Sequence, residues 1–360
     1  MAVILAARRT AVVPRCGAFA TFSPEALAAP VLRACLNDAG LSVDDVDEVI
    51  LSNAIGPGGN TARRAALLAG LPERVAGLTT DRQCAGGLDA LILARAMVDS
   101  GMAQVVLAGG AESYSRQPER RMPGAPSPYG QAPFTPWPDR DPNMADAAAR
   151  LAVKAGLSRA DQEDYAALSH AKALATPDWP EIVAIGDQRR DPFARPLKPA
   201  LLARAPVVSG SVTAATMAVA ADGAAFCLVV ADALAQRLGR DGLKIGAGVT
   251  LGADPEQPGL APVPAIRAVL QAEGLTAGDL TRCEVMEAFA AQAMATIAEC
   301  GLPVARVNQE GGALARGHPI GASGAILAVR VFHGLGQGTG LAAIASAGGL
   351  GTAVLFRRAR

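Results

Sequence analysis

The chain has 360 residues, 51% hydrophobic, 18% charged and only 4% aromatic, a balance that supplies a large core and excludes a disordered protein. Lys+Arg and Asp+Glu both number 33, so the net charge is zero and nothing recommends a nucleic-acid partner. The six cysteines are scattered, with no C-x-x-C pair and no histidine at metal-ligand spacing, which points to a reduced, cytoplasmic protein without a zinc site.

The opening "MAVILAARRT" reads as a strand and its turn. Arg8, Arg9 and Arg15, with no acid in residues 1–24, faintly resemble a transit peptide, and the strand reading takes precedence. "LRACLNDAGLSVDDVDEVIL" (32–51) set over "IRAVLQAEGLTAGDLTRCEV" (266–285) matches at six positions with a constant offset of 234: Arg33/Arg267, Ala34/Ala268, Leu36/Leu270, Gly40/Gly274, Leu41/Leu275 and Asp45/Asp279. Each copy reads as helix, glycine stop, acidic turn and strand. The next units also correspond. A helix after Cys84 leads to the strand "AQVVLAGG" (103–110), and a helix after "HPIGASG" (318–324) leads to "GLAAIASAGG" (340–349).

Two similar α/β halves are therefore expected, residues 1–118 and 246–360, with an insertion and a return strand at 119–245. A proline-rich, charged stretch at 117–143 leads into the insertion. The insertion continues through a helical run at 144–174 and an irregular, arginine-rich stretch at 187–204. Long loops on a rigid scaffold often hold a ligand. Two uncharged runs, 205–221 and 340–356, are almost long enough to span a bilayer. Gly, Ser and Thr break both, and Pro206 breaks the first, so they read as buried strands and loops and no membrane is expected.

Cys84, in "TDRQCAGGLDALILAR" (80–95), stands at the mouth of a predicted helix. A helix N-terminus favours thiolate over thiol, and Gly86 and Gly87 leave room for a ligand. A buried cysteine packing like a small hydrophobe is the competing reading, and these residues alone leave both open. His318, in "NQEGGALARGHPIGASGA" (308–325), sits in a glycine-rich turn held by Pro319, available for proton transfer. His333 reads as a helix C-terminus and His170 as a surface helix position, and neither is assigned chemistry. The glycine turns do not fit a dinucleotide fingerprint.

Five stretches together resemble the thiolase family of acyl-CoA acetyltransferases: "NTARRAALLAGLP" (60–72), "DRQCAGGLDAL" (81–91), "GGAESYSRQP" (109–118), "EVMEAFAAQA" (284–293) and "GGALARGHPIGASGA" (311–325). "GLAAIASAGGLGTAVLF" (340–356) fits the family's closing glycine loop. The resemblance implies a five-layer α/β/α/β/α fold from two similar halves with an inserted loop domain. It also implies a homodimer or homotetramer, and acyl-CoA or coenzyme A as substrate with no permanently bound cofactor. Cys84 then takes an acyl group from a thioester and His318 activates it and polarises the substrate carbonyl. Backbone N–H groups at the Cys84 helix start and in the loop containing Ala347 stabilise the oxyanion. Phe289 and Ile320 fall at substrate-binding positions.

The departures from the family pattern fall at reactive positions. Ala345 stands where a second cysteine moves the proton of the second acyl-CoA, and adjacent Ser346, with no visible base, is a poor replacement. Met286 replaces the Asn of Asn-Glu-Ala-Phe, which holds an oxyanion water. Ala218 replaces a serine near the pantetheine, and Glu119 a loop-domain histidine. Cys283, three residues before Met286, reads as a core thiol rather than a substitute. The expectation is a thiolase-like acyltransferase that forms an acyl-enzyme at Cys84 and passes the acyl group to an unidentified acceptor. The alternatives are a thiolase with a substitute acid/base and a non-catalytic CoA-ester binding subunit of a larger assembly.

Overall fold

The computed structural model describes residues 1–358. The first half runs β1 (Ala2–Thr10), β2 (Val13–Pro14), α1 (Pro24–Ala39), β3 (Glu48–Ser52), α2 (Thr61–Leu68), β4 (Leu78–Thr80), α3 (Gly86–Asp99) and β5 (Val105–Glu112). The connecting region holds α4 (Met144–Lys154), α5 (Arg159–Ala175), β6 (Ile182–Val183), α6 (Pro199–Ala203), β7 (Val207–Ser209) and β8 (Val212–Thr213). The chain then returns through β9 (Ala221–Ala231) and α7 (Asp232–Arg237). The second half runs β10 (Leu243–Gly252), α8 (Pro262–Ala272), β11 (Leu280–Val285), α9 (Ala290–Glu299), α10 (Ala313–Arg316), α11 (Ile320–Gly334), β12 (Gly338–Ser346) and β13 (Leu350–Arg358).

The strand order is β11-β12-β13-β10-β1-β9-β5-β3-β4, and two residues of β1 pair with β10 to join the halves. Alternation along the strands builds the layers. In β9, Phe226, Leu228 and Val230 enter the core under α1, whereas Ala225, Cys227 and Val229 enter the central core. In β12, Ala342 and Ile344 face the central core, and Leu341 and Ala343 face α8 and α9. α3 and α11 lie between the two half-sheets, touching β5 and β9 on one side and β12 or β13 on the other. This is the expected sequence of five layers.

The internal repeat survives in detail. Gly40 and Gly274 both take the left-handed conformation that ends their helices, with φ of 69° and 64°. Ser42–Asp45 and Thr276–Asp279 both form capping boxes before the following strand. Arg33 and Arg267 each donate to a carbonyl of the neighbouring outer helix region, at Leu68 and Glu299. The repeat places α3 and α11 back to back, and the same offset of 234 separates Cys84 from His318. The helices cross closely because glycine permits it. A Cβ on Gly87 would lie 2.4 Å from the Ala325 nitrogen, and one on Gly324 2.6 Å from the Leu88 nitrogen.

Three sequence expectations sharpen or change. The helical run of 144–174 is two helices parted near Gly156, whose φ is 66°. His170 is not a surface residue. α5 turns it inward to 2% exposure, where its Nδ1 accepts the Arg195 N–H and its ring packs on Phe193. The Arg-rich stretch that covers it is remote in sequence, so helical position alone did not reveal the burial. Cys283 is fully buried in the core between sheet and outer helices, on the face away from Cys84.

Candidate functional site

Cys84 belongs to a single 3-10 turn, Gln83–Ala85, that feeds directly into α3. Gln83 holds a positive φ of 50°, an uncommon conformation for a side-chain-bearing residue, and Asp81 pins it by accepting from its N–H and its side-chain amide. His318 follows Gly317, whose φ of 112° requires glycine, and precedes Pro319, the N-cap of α11. A strip from the connecting region secures this turn: His318 N–H donates to Val219 O, and Ala218 N–H donates to Ala288 O.

The Cys84 Sγ and His318 Nε2 are 3.1 Å apart. On the other side of the ring, His318 Nδ1 is 2.6 Å from Ser323 Oγ, and that hydroxyl donates to Pro319 O at 3.0 Å. A hydroxyl has one proton. With it given to Pro319, Ser323 accepts from Nδ1–H, which leaves Nε2 free to accept from the thiol. Ser323 was not singled out in the sequence, and its signal is a serine in the second turn of a helix, back-bonded to the carbonyl four residues earlier.

Burial pushes the Cys84 thiol up to about 12, outweighing its own amide, which pulls it down. Burial also pulls His318 down to about 4. The expected preference of a helix start for thiolate is thus reversed by desolvation, and the resting pair is neutral thiol and neutral imidazole.

A cavity of about 340 Å³ opens on this pair. Ala218, Phe289, Ile320, Ala345 and Ala347 all line it with Cys84 and His318. Met286 and Glu119 do not. Met286 is 1% exposed and packs into the central core, while Glu119 points to solvent beside Arg121, 3.9 Å away. Its neighbour Arg120 reaches the cavity instead, held by Ala54 O and Gly56 O at 3.2 and 3.5 Å. Ala345 is the penultimate residue of β12, opposite Gly351, and the last, Ser346, spends its hydroxyl proton on Arg82 O at 3.1 Å.

Two buried carboxylates hold the frame. Glu112 accepts from Asn53 Nδ2, from the Ala54 and Ile55 amides, and from Gly321 N–H in the first turn of α11. Burial raises it to about 7. Glu287 accepts from Tyr165, Ser169, Asn308 and the Leu314 amide, tying α5 to the second half. Among the described residues no group of three or more His, Cys, Asp or Glu is arranged to hold a metal ion, and no helix is long and apolar enough to cross a membrane.

Comparison with known proteins gives a consistent result. The family described as Thiolase, N-terminal domain matches residues 2–233, and Thiolase, C-terminal domain matches residues 240–358. A Bacillus subtilis relative, the putative acetyl-CoA C-acetyltransferase YhfS, is 41% identical over 372 residues, covering 99% of this chain and 98% of that one. The crystal structure of Bacillus anthracis acetyl-CoA acetyltransferase superposes with a TM-score of 0.92 at 32% identity, covering 99% of this chain and 98% of that one. Human mitochondrial 3-ketoacyl-CoA thiolase in complex with CoA superposes with a TM-score of 0.91 at 28% identity, covering 100% of this chain and 98% of that one.

Proposed function

The chain belongs to the thiolase family of acyltransferases, and from that premise we propose that it forms an acyl-enzyme at Cys84 from an acyl-CoA and passes the acyl group to a second substrate. The observation that carries the reading is the Cys84–His318–Ser323 chain of contacts. The sulfur attacks the thioester carbonyl as its proton passes to His318 Nε2. Ser323 and the Pro319 carbonyl behind it stabilise the imidazolium that forms. The amides of Cys84 and Ala347, both on the cavity wall, receive the developing oxyanion. Collapse expels the CoA thiolate, which takes the proton from His318.

The second half differs from the usual thiolase reaction. An alanine methyl at position 345 moves no proton, Met286 holds no oxyanion water, and Ala218 offers no hydroxyl to the pantetheine. The acceptor is therefore one that is already nucleophilic, or that becomes so by losing CO2. The relatives' names favour a second reading, ordinary acetoacetyl-CoA thiolysis, with Ser346 beside the sulfur as the substitute acid/base. Its hydroxyl proton is committed to Arg82 O, which weighs against it.

Intact-mass measurement after exposure to a panel of acyl-CoAs tests the proposal. An adduct lost in Cys84→Ser is expected; no adduct, or one that persists as a thiol-labile species in Cys84→Ser, overturns it. Acetoacetyl-CoA thiolysis above a Cys84→Ala background would favour the second reading. A homodimer or homotetramer accompanies this function. It is supported by the open edge of β4 and by Leu67, Leu68 and Leu78 exposed beside it. Light scattering on the purified protein checks it, a monomer being the contrary result. The six unpaired cysteines support a reducing, cytoplasmic setting.

A further inference from the structure

The cavity carries a charge that the transfer chemistry leaves unused. Among the described residues that line it, Arg120 is the only Lys, Arg, Asp or Glu. The rest of the wall is largely apolar, including Phe134, Met144, Met217 and Phe289. Arg120 enters no ion pair among the described residues, although Arg121 beside it faces Glu119. Its Nη2 is fixed by two backbone carbonyls of the β3–α2 loop, and its backbone carbonyl accepts from Tyr129 N–H. The guanidinium is therefore oriented before any ligand arrives. Among the described residues its remaining donors have no acceptor. Arg120 is half-buried on this largely apolar wall, where its attraction for an anion is less screened than in open water.

We propose that the acyl-CoA accepted here carries a second, distal carboxylate on its acyl group, a mono-thioester of a dicarboxylic acid, and that Arg120 binds that carboxylate while Cys84 takes the acyl carbon. The inference rests on the acyl-enzyme reading above and deepens it. The step balances as for any thioester: the Cys84 sulfur–carbon bond forms, the bond to the CoA sulfur breaks, and the thiol proton leaves with the CoA thiolate by way of His318. The distal carboxylate is unchanged throughout.

Two other anions compete for Arg120. One is a carboxylate that departs as CO2. A guanidinium held on it stabilises the charge that the reaction must remove, which favours the ground state over the transition state and opposes the step. The other is a CoA phosphate, which lies at the far end of the pantetheine arm from the reacting sulfur and is common to every acyl-CoA.

Rates of Cys84 acylation, followed by intact mass, distinguish these. Pairs of equal chain length serve as probes: succinyl- against butyryl-CoA, glutaryl- against valeryl-CoA and adipyl- against hexanoyl-CoA. The wild type is expected to prefer the carboxylated member of at least one pair. Arg120→Gln lowers that preference about 10- to 100-fold, the worth of a charge-assisted hydrogen-bonded pair, and Arg120→Lys falls between. Equal slowing of both members by Arg120→Gln signals a phosphate contact or a loop-holding role and overturns the inference. So does CO2 release from malonyl-CoA with no preference in any pair. Adducts from neutral acyl-CoAs alone overturn this inference and leave the acyl-enzyme reading standing; no adduct from any acyl-CoA overturns both.

Discussion

Ser323→Ala isolates the hydrogen bond that sets the protonation of the candidate site. The hydroxyl is 2.6 Å from His318 Nδ1 and 3.0 Å from Pro319 O, and Ser323 is 3% exposed. Removing it leaves Pro319 O with its other donors, the Ala322 and Ser323 amides, both at 2.9 Å. The loss therefore falls on Nδ1–H, which has no replacement acceptor at hand. In the resting neutral pair this is one unpaired buried donor, costing about 1–3 kcal/mol of stability. When the thiol proton reaches Nε2 the ring becomes cationic. A hydrogen bond to a charged group is worth about 1.5–3 kcal/mol against about 0.5–1.5 for a neutral one, so about 1–1.5 kcal/mol of the loss falls on the step and acylation slows by about 5- to 10-fold.

The assay is the rate of the Cys84 adduct with acetyl-CoA, by intact mass, across pH. With the thiol near 12 and the imidazole near 4, the reacting neutral pair prevails between those values. The wild-type rate is accordingly flat across neutral pH and falls on acidification as His318 gains its proton. Ser323→Ala lowers that plateau. A variant that acylates within about twofold of wild type on the same plateau would refute the reasoning, because the Nδ1 contact would then gain nothing as the ring becomes charged.

Three further outcomes follow from the geometry. Ala345→Cys places a titratable thiol at the end of β12, and acetoacetyl-CoA thiolysis should rise at least about tenfold, as an added general acid/base provides; no gain refutes the account of the altered second half. Gly87→Ala puts a methyl 2.4 Å from the Ala325 nitrogen. Forcing α3 from α11 should cost about 1–3 kcal/mol in urea unfolding and slow Cys84 acylation together, whereas a silent substitution would show that close crossing is not what holds the pair. His170 is lowered from 6.5 to about 4, mainly by burial. A group whose folded value is depressed contributes stability above its unfolded value and loses it as pH falls through the folded one. His170 should therefore contribute a fall in stability of up to about 3 kcal/mol from pH 6.5 to 4, and His170→Gln should reduce the slope by that amount in thermal melts; an unchanged slope refutes it.

Much of the fold was legible because the relevant signals are local. The repeat at offset 234 was visible in glycine stops and acidic turns, which are capping signals spanning a few residues. Cys84 and His318 stood out as a helix mouth and a glycine-rich turn, and the family resemblance gave them their roles. Arg120, Ser323, Glu112 and Glu287 did not stand out, for a common reason. Each draws its significance from a cavity or partners that the chain assembles in space: Glu287 from α5 more than a hundred residues earlier, and Glu112 from α11 some two hundred later.

By itself, then, the amino-acid sequence carried the helix, glycine stop, acidic turn and strand of the repeat, and through its family resemblance it singled out one cysteine and one histidine. Periodicity and turn chemistry act over short stretches and need no distant information. Tertiary structure alone decided that Cys84 rests as a thiol, that His170 is buried rather than exposed, that Glu119 faces solvent, and that Arg120 charges the cavity wall. These are matters of desolvation and of which carbonyls and carboxylates come within reach, and they are set by segments that meet only when the chain is folded.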